Sequence, residues 1–352
     1  LQLDLSTSNL CFDDILLVPK HSKVESRSNV SLKTVIGNPN NPKAWISLET
    51  PIMTAPMEFI NSNAMILKIT QFGGMAFINR LQKDELRFAQ VDSISKDINL
   101  LNQVGFAISL SESKDINFIN KVLSYGVKIL LLDIALGHME LATECIKHLR
   151  SLVPNNIHIM TGNVSSYEAY NNLINAGADS VRVGIGAGAA CTTRIVTGFG
   201  VPVLGSIMDI YEKVDKNNVN GIIADGGIKQ TGDIVKALAA GASAVMMGSF
   251  FAGHEECDGK ENGQFIFRGI SSKETKLTKL DKDSLSNDIH HVEGIQGYIN
   301  NKGPIDNTLI TIIDNIKSGF SYCGSNNIKH FQSNCKFITV SSETIKESGS
   351  RV

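Results

Sequence analysis

Short apolar runs recur along the chain with longer amphipathic stretches between them. They are PIMTAP (51–56), GMAFIN (74–79), VGFAIS (104–109), KILLLDIA (128–135), IHIMTGN (157–163), SVRVGIG (180–186), NGIIADGG (220–227) and SAVMMGS (243–249). Apolar residues within each run are continuous rather than alternating, the pattern of parallel strands buried on both faces. The segments between, such as ELATECIKHLRSLV and TGDIVKALAAGA, have helical spacing, and Thr231 or Asp233 is placed to cap the second. Eight strand–helix units in succession predict an α/β fold of the (β/α)8 or TIM-barrel type, with a doubly wound sheet as the alternative. On this reading residues 1–352 form one domain, and an N-terminal extension (1–50) covers the bottom of the barrel. Residues 254–303 are charged, punctuated by glycine and weakly periodic, which predicts a long active-site flap.

Composition narrows the function by exclusion. With 42% hydrophobic residues and a formal net charge of -2, the chain is of ordinary globular make-up and carries no electrostatic footprint for nucleic acid or a membrane surface. No apolar run is long enough for a spanning helix, and the start LQLDLSTSNLCFDD lacks the features of a signal peptide. Cys11, Cys145, Cys191, Cys257, Cys323 and Cys335 show no C-x-x-C spacing, which suits free thiols in a reducing compartment. The expectation is a cytoplasmic protein with neither nucleic-acid nor membrane partners.

Chemistry enters at the strand ends. The runs finish in Asp133, Asn163, Gly184, Asp225 and Gly248. Polar residues and glycines mark strand ends generally, but in a barrel these ends form the rim where loops carry function. After strands seven and eight, ADGGIKQTGD and MMGSFFAG offer glycines whose backbone N–H groups can approach an anion, at the two loops where barrels frequently bind phosphate. Asp225 would repel phosphate and is better suited to sugar hydroxyls. The alternative is that Gly226, Gly227 and Gly248 are turn glycines. After strand six, GIGAGAACTTRIVTG presents Cys191 on the same rim, followed by Thr193 and Arg194. A thiolate is a strong nucleophile favoured by nearby cations, and Arg194 is a candidate for that charge. The carbonyls of Gly184, Gly186 and Gly188 are candidates for a monovalent cation, although the glycines also suit simple loop mobility. Composition by itself makes a lone cysteine an inert core residue.

The motifs GIGAGAACTTRIVTGFGVP, DIALGH, TGNV, ADGGIKQTGDIVKALAAGASAVMMGS, FAGHEE, FRGISS and VEGIQGYINNKG together resemble the IMP dehydrogenase and GMP reductase family. The resemblance runs from about Phe12 to the C-terminal region. It implies a purine mononucleotide (GMP or IMP) with its phosphate at Gly227, Gly248 and Ser249 and its ribose at Asp225. Gly269, Ser271 and Arg194 are implied as further substrate contacts. It implies that Cys191 attacks purine C2 covalently and that Thr193 and Glu293 transfer protons. Asp133, Asn163 and Gly184 are implied to line the nicotinamide site. A potassium-like cation on the carbonyls of Gly186, Gly188 and Cys191, and a homotetramer, are implied as well.

Within that resemblance the sequence leans toward the reductase, which uses NADPH, over the dehydrogenase, which uses NAD. Residues 80–103 leave no room for a regulatory insert between strands two and three. The flap KETKLTKLDKDSLSNDIHHV lacks the Arg–Tyr pair of the dehydrogenase, and His290 and His291 are the candidate substitutes. SFFAGHEECDG and FRGISS are reductase-like, whereas EGIQGYINNKG and ADGGIKQTGDIVKALAAGASAVMMGS are dehydrogenase-like, and some dehydrogenases of the family lack the regulatory insert. Ala189, Phe267 and Glu58 depart from the family pattern, which predicts weaker nucleotide binding or an unusual purine. A catalytically silent nucleotide-binding barrel is the remaining alternative, opposed by the intact Cys191, Thr193 and Glu293.

Overall fold

All eight apolar runs form strands in the computed structural model, which describes residues 9–218, 220–279 and 291–348. They are β1 (Ile52–Thr54), β2 (Ala76–Ile78), β3 (Val104–Ile108), β4 (Ile129–Asp133), β5 (His158–Val164), β6 (Ser180–Val183), β7 (Ile222–Asp225) and β8 (Ala244–Met247). Neighbours pair in parallel from β2 round to β8, and β8 pairs with β1. A bridge between Met53 and Met75, with Thr54 N–H donating to Met75 O at 3.0 Å, brings β1 beside β2 and closes the ring. The architecture is the (β/α)8 barrel, not the doubly wound sheet.

The continuous apolar runs are explained by two separate apolar environments. Ile129 and Leu131 point into the barrel with Phe77, Met160, Ile223 and Met246, while Leu130 and Leu132 point out against the helices. Successive residues of a strand face opposite sides, so a strand buried on both is apolar except where a polar side chain finds a partner. Helices between the strands include Asp84–Ser95, Glu140–Leu152, Tyr167–Asn175, Val203–Lys213 and Thr231–Ala239. The helix that follows β8 is delayed to Asp306–Ser321. Gly319 lets it lie close on Val235 of the helix Thr231–Ala239, since a Cβ at Gly319 would sit 2.7 Å from a Val235 methyl carbon. No helix among the described residues is long and apolar enough to cross a membrane.

One expected cap is corrected. The residue capping Thr231–Ala239 is Gln230, and Asp233 reaches back to accept the N–H groups of Lys229 (2.9 Å) and Gln230 (3.1 Å). Asp233 fills this role because a carboxylate one turn into a helix can satisfy N–H groups that the helix itself leaves open.

The N-terminal extension closes the bottom of the barrel, as expected. Thr34–Ile36 and Ile46–Leu48 form an antiparallel pair whose Ile36, Ile46 and Leu48 plug the interior. Polar contacts pin this plug to the strand beginnings: Thr34 Oγ1 donates to Ser243 O (2.8 Å), and buried His158 lies between Ala44 O (2.8 Å) and Ser180 Oγ (2.7 Å).

The segment 254–303 is more ordered than its composition suggests. Lys260–Glu261, β9 (Gln264–Arg268) and β10 (Gln296–Asn300) make a three-stranded antiparallel sheet. β9 and β10 pair across a long insertion, from Gln264 opposite Asn300 to Arg268 opposite Gln296. A pairing between distant segments leaves no local hairpin signal, which is why periodicity did not reveal it. The part of the predicted flap over 280–290 lies outside the described residues.

Candidate active site

At the C-terminal rim, the loop after β6 delivers Cys191 and the sheet β9–β10 delivers Glu293 to the same place. Cys191 forms a bridge with Gly294, Thr192 N–H donates to Glu293 O (2.9 Å), and Ile295 N–H donates to Ala190 O (3.1 Å). From the other side, Glu293 N–H donates to Ser271 O (3.1 Å) and Gly269 N–H to Ile295 O (2.9 Å). Gly269 is required here because a Cβ would lie 2.9 Å from the Ala190 carbonyl. Three segments remote in sequence are thus laced together by backbone hydrogen bonds.

The lacing builds a chain of three side chains. Cys191 Sγ donates to Thr193 Oγ1 at 3.1 Å, and Thr193 Oγ1 donates to Glu293 Oε2 at 2.7 Å. All three are partly accessible. A carboxylate that holds the hydroxyl proton turns an oxygen lone pair toward the thiol, so the chain can take a proton from sulfur or return one to a departing group. Arg194, expected beside the thiol, does something else. Its guanidinium donates to Val201 O (3.0 Å), and its stem packs where Cβ atoms at Gly186 and Gly200 would otherwise lie. It fills the slot those two glycines leave and so closes the loop upon itself. Gly188 O accepts the Cys191 N–H at 3.0 Å, so this carbonyl belongs to the turn that presents the thiol.

Beside this chain the ends of β4, β5, β6 and β7 share one polar network. Arg182 Nη2 donates to Asp133 Oδ1 (2.5 Å) and Gly162 O (3.2 Å), while its Nη1 lies 3.5 Å from Asp225 Oδ2. Arg80 Nε donates to Asp133 Oδ2 (2.8 Å). Asn163 Nδ2 donates to both Gly184 O and Asp225 Oδ2, each at 2.8 Å. The expected residues Asp133, Asn163, Gly184 and Asp225 therefore meet, but the guanidiniums that join them were missed from sequence. A signal was present: Arg182 stands between two valines in a short strand-like run, where a buried charge requires a partner.

The two carboxylates of the network are driven in opposite directions. Burial pushes both up. At Asp133 the paired cations Arg182 and Arg80 outweigh it and hold the carboxyl below its ordinary range. At Asp225 burial prevails over Arg182 and the Asn163 hydrogen bond, with the Asp133 charge adding to it, and the carboxyl is raised.

The loops after β7 and β8 lie side by side, since Asp225 and Met246 are register partners. Gly226 and Gly227 adopt φ of 87° and 76°, a region that favours glycine. Gly227 N–H donates to Ala187 O (3.1 Å), which ties this loop to the cysteine loop. Gly248 sits against Met57, whose sulfur would be 2.5 Å from a Cβ there. Of the three departures noted in the sequence, Glu58 accepts from Arg268 Nη1 (3.0 Å) and so ties the β1 loop to β9. Phe267 pairs with Gly297 and packs on the core, and Ala189 is exposed. His290 falls outside the described residues, and His291 is exposed at the start of the return segment. The described cysteines are all free.

Fold and site together define a barrel protein that presents a thiol–hydroxyl–carboxylate chain beside a glycine-lined cradle. The profile described as "IMP dehydrogenase / GMP reductase domain" matches residues 9–351. Inosine-5'-monophosphate dehydrogenase of Borreliella burgdorferi is 31% identical over 396 residues, covering 96% of this chain and 96% of that protein. GMP reductase of Leishmania major is 39% identical over 235 residues, covering 64% of this chain and 48% of that protein, so the match spans about half of that relative. In structure, the chain resembles a cysteine-to-alanine variant of Trypanosoma brucei GMP reductase in complex with guanosine 5'-monophosphate, with a TM-score of 0.87, 23% identity and 98% of each chain covered. The chain belongs to the IMP dehydrogenase / GMP reductase family, a family of purine-nucleotide oxidoreductases that use NAD(P).

Proposed function

We propose that the protein is a GMP reductase, converting GMP and NADPH to IMP, ammonia and NADP. The observation that carries the reading is the hydrogen-bonded chain Cys191–Thr193–Glu293. Cys191 loses its proton toward Thr193 and Glu293, and the sulfur adds to purine C2. Thr193 passes a proton to the 2-amino group, which leaves as ammonia and leaves C2 bound to sulfur. NADPH, when bound, would supply a hydride to C2, and Cys191 would leave as the thiolate as IMP is released. This relay can hand the thiol's proton to a departing amine, the step the reductase reading needs.

The cofactor's carboxamide fits the donor set of the β4–β6 ends. Arg182 Nε is buried with no hydrogen-bond partner among the described residues; Asp133 and Asp225 flank its guanidinium, and Asn163 donates to Asp225. Asp133, Asn163, Gly184 and Arg182 would hold the nicotinamide over the purine. Asp225 would take the ribose, Gly227, Gly248 and Ser249 the phosphate, and Gly269 and Ser271 the base edge. Carbonyls of Gly186, Gly188 and Cys191 are the proposed seat of a monovalent cation, and a homotetramer is the proposed assembly.

IMP dehydrogenase activity with NAD is the second reading, favoured by the end-to-end match to the Borreliella enzyme. Absorbance at the reduced-nicotinamide band separates the two. Loss of NADPH signal with GMP supports the reductase, and growth of NADH signal with IMP supports the dehydrogenase. Absence of turnover in both, across potassium and sodium buffers, overturns the enzymatic reading.

A further inference from the structure

Outside the residues already placed, Lys302 stands against the proposed phosphate loop in an unusual way. Its Nζ lies 3.2 Å from Ser249 O and 3.2 Å from Phe250 O, across 53 and 52 residues of sequence. Those two residues open a turn in which Phe251 and Ala252 N–H both donate to Gly248 O, each at 3.1 Å. The N–H groups of Ser249 and Phe250 have no hydrogen-bond partner among the described residues.

Carbonyls and amides of consecutive residues in such a turn point opposite ways along it. An ammonium that gathers the carbonyls of Ser249 and Phe250 at one end therefore leaves their N–H groups at the other. That end joins β8, beside the Gly226–Gly227 loop. Lys302 is itself held in place: its N–H donates to Gly253 O (2.8 Å), and Gly303 O accepts from Glu255 N–H (3.2 Å) and lies 3.0 Å from His254 Nδ1. The cradle needs such help. Ala189 and Phe267 bring no polar side chain, and the one nearby lysine on the β7 loop, Lys229, is paired with Asp13 at 2.9 Å.

Resting on the nucleotide reading above, we propose that Lys302 is a positioning residue for the 5'-phosphate. It fixes the Ser249 and Phe250 carbonyls so that their amides face the phosphate, and it places a positive charge behind them. It thereby makes the protein select nucleotides over nucleosides.

The test measures GMP, IMP and guanosine binding by calorimetry in wild type, Lys302→Met and Lys302→Arg, together with KM and kcat for the active nucleotide. Lys302→Met is expected to weaken the nucleotides about tenfold, the scale of losing a charge-assisted contact, and to leave guanosine within about twofold. KM rises by a similar factor while kcat at saturation changes far less, and Lys302→Arg restores most of the loss. Equal weakening of GMP and guanosine, or unchanged GMP affinity in Lys302→Met, overturns the inference while the functional reading stands. Wild-type protein that binds neither GMP nor IMP overturns the functional reading and this inference with it. Thermal melting of each variant identifies one that is misfolded, in which case Lys302→Gln is read in its place.

Discussion

Thr193 Oγ1 and Glu293 Oε2 are 2.7 Å apart, although 100 residues separate them in the chain. The pair is made by backbone bonds that dock the β10 approach on the cysteine loop, so the carboxylate is aimed rather than merely near. Replacing Glu293 with Gln keeps the shape and removes the acceptor charge. Turnover should fall roughly 10²–10⁴-fold, the range for general acid–base groups, with little change in nucleotide affinity. Steady-state kinetics beside calorimetry will show it; a Glu293→Gln enzyme of normal kcat contradicts the relay.

Cys191→Ala removes the nucleophile and should lower turnover by about 10³-fold or more while nucleotide binding survives. Mass spectrometry of wild type quenched during turnover should find a purine adduct on Cys191. Normal rates in the variant would falsify the covalent route.

Arg182 bridges two carboxylates, and its removal leaves Asp133 to Arg80 and Asp225 to Asn163. Breaking a buried pair in this way costs about 3–5 kcal/mol. Urea unfolding of Arg182→Met should therefore show a large loss, and adding Asp133→Asn should recover part of it, because a neutral amide no longer needs the cation. If the two changes are simply additive, Arg182 and Asp133 are not coupled.

Gly184 marks where β6 turns against β7, and a Cβ there would lie 2.1 Å from the Asp225 carbonyl oxygen. Gly184→Ala should destabilise the fold by at least ~2 kcal/mol and weaken nucleotide binding, because Asp225 moves with its carbonyl. Unfolding midpoints and GMP titration test both halves; unchanged values in each would show that the contact yields freely.

His158 pins the N-terminal plug, and burial holds its pKa below the ordinary value despite the nearby Asp179 and the Ala44 hydrogen bond. The unfolded chain therefore takes up this proton first, near pH 6.5. Stability should be complete above that pH and decline as pH falls from about 6.5 toward the folded-state value. Urea midpoints at pH 7.5 and 5.5 should separate more in wild type than in His158→Gln, and equal separations would remove His158 as the cause.

Much of this was legible in the sequence, and the reasons are specific. Ile129–Asp133 and Ile222–Asp225 could be read as buried parallel strands because burial on both faces leaves no polar position before the aspartate at the rim. Cys191 and Thr193 could be marked as a site because they lie within one loop of a recognisable motif. The sheet formed by β9 and β10 could not be read, since its pairing from Gln264 to Asn300 is non-local. The packing of Arg194 could not be read for a related reason: proximity in sequence to Cys191 says nothing about the slot between Gly186 and Gly200 that takes its side chain.

Sequence by itself determined the barrel, through a periodicity that any parallel strand must obey, and it determined the inventory of thiol, hydroxyl and carboxylate. Tertiary structure decided which of them meet. Glu293 reaches Thr193, Arg182 reaches Asp133 and Asp225, and Lys302 reaches Ser249 only because the ring of strands brings their loops to one rim. Local propensity acts over a few residues, whereas these contacts are set by backbone pairing and buried charge across the whole chain.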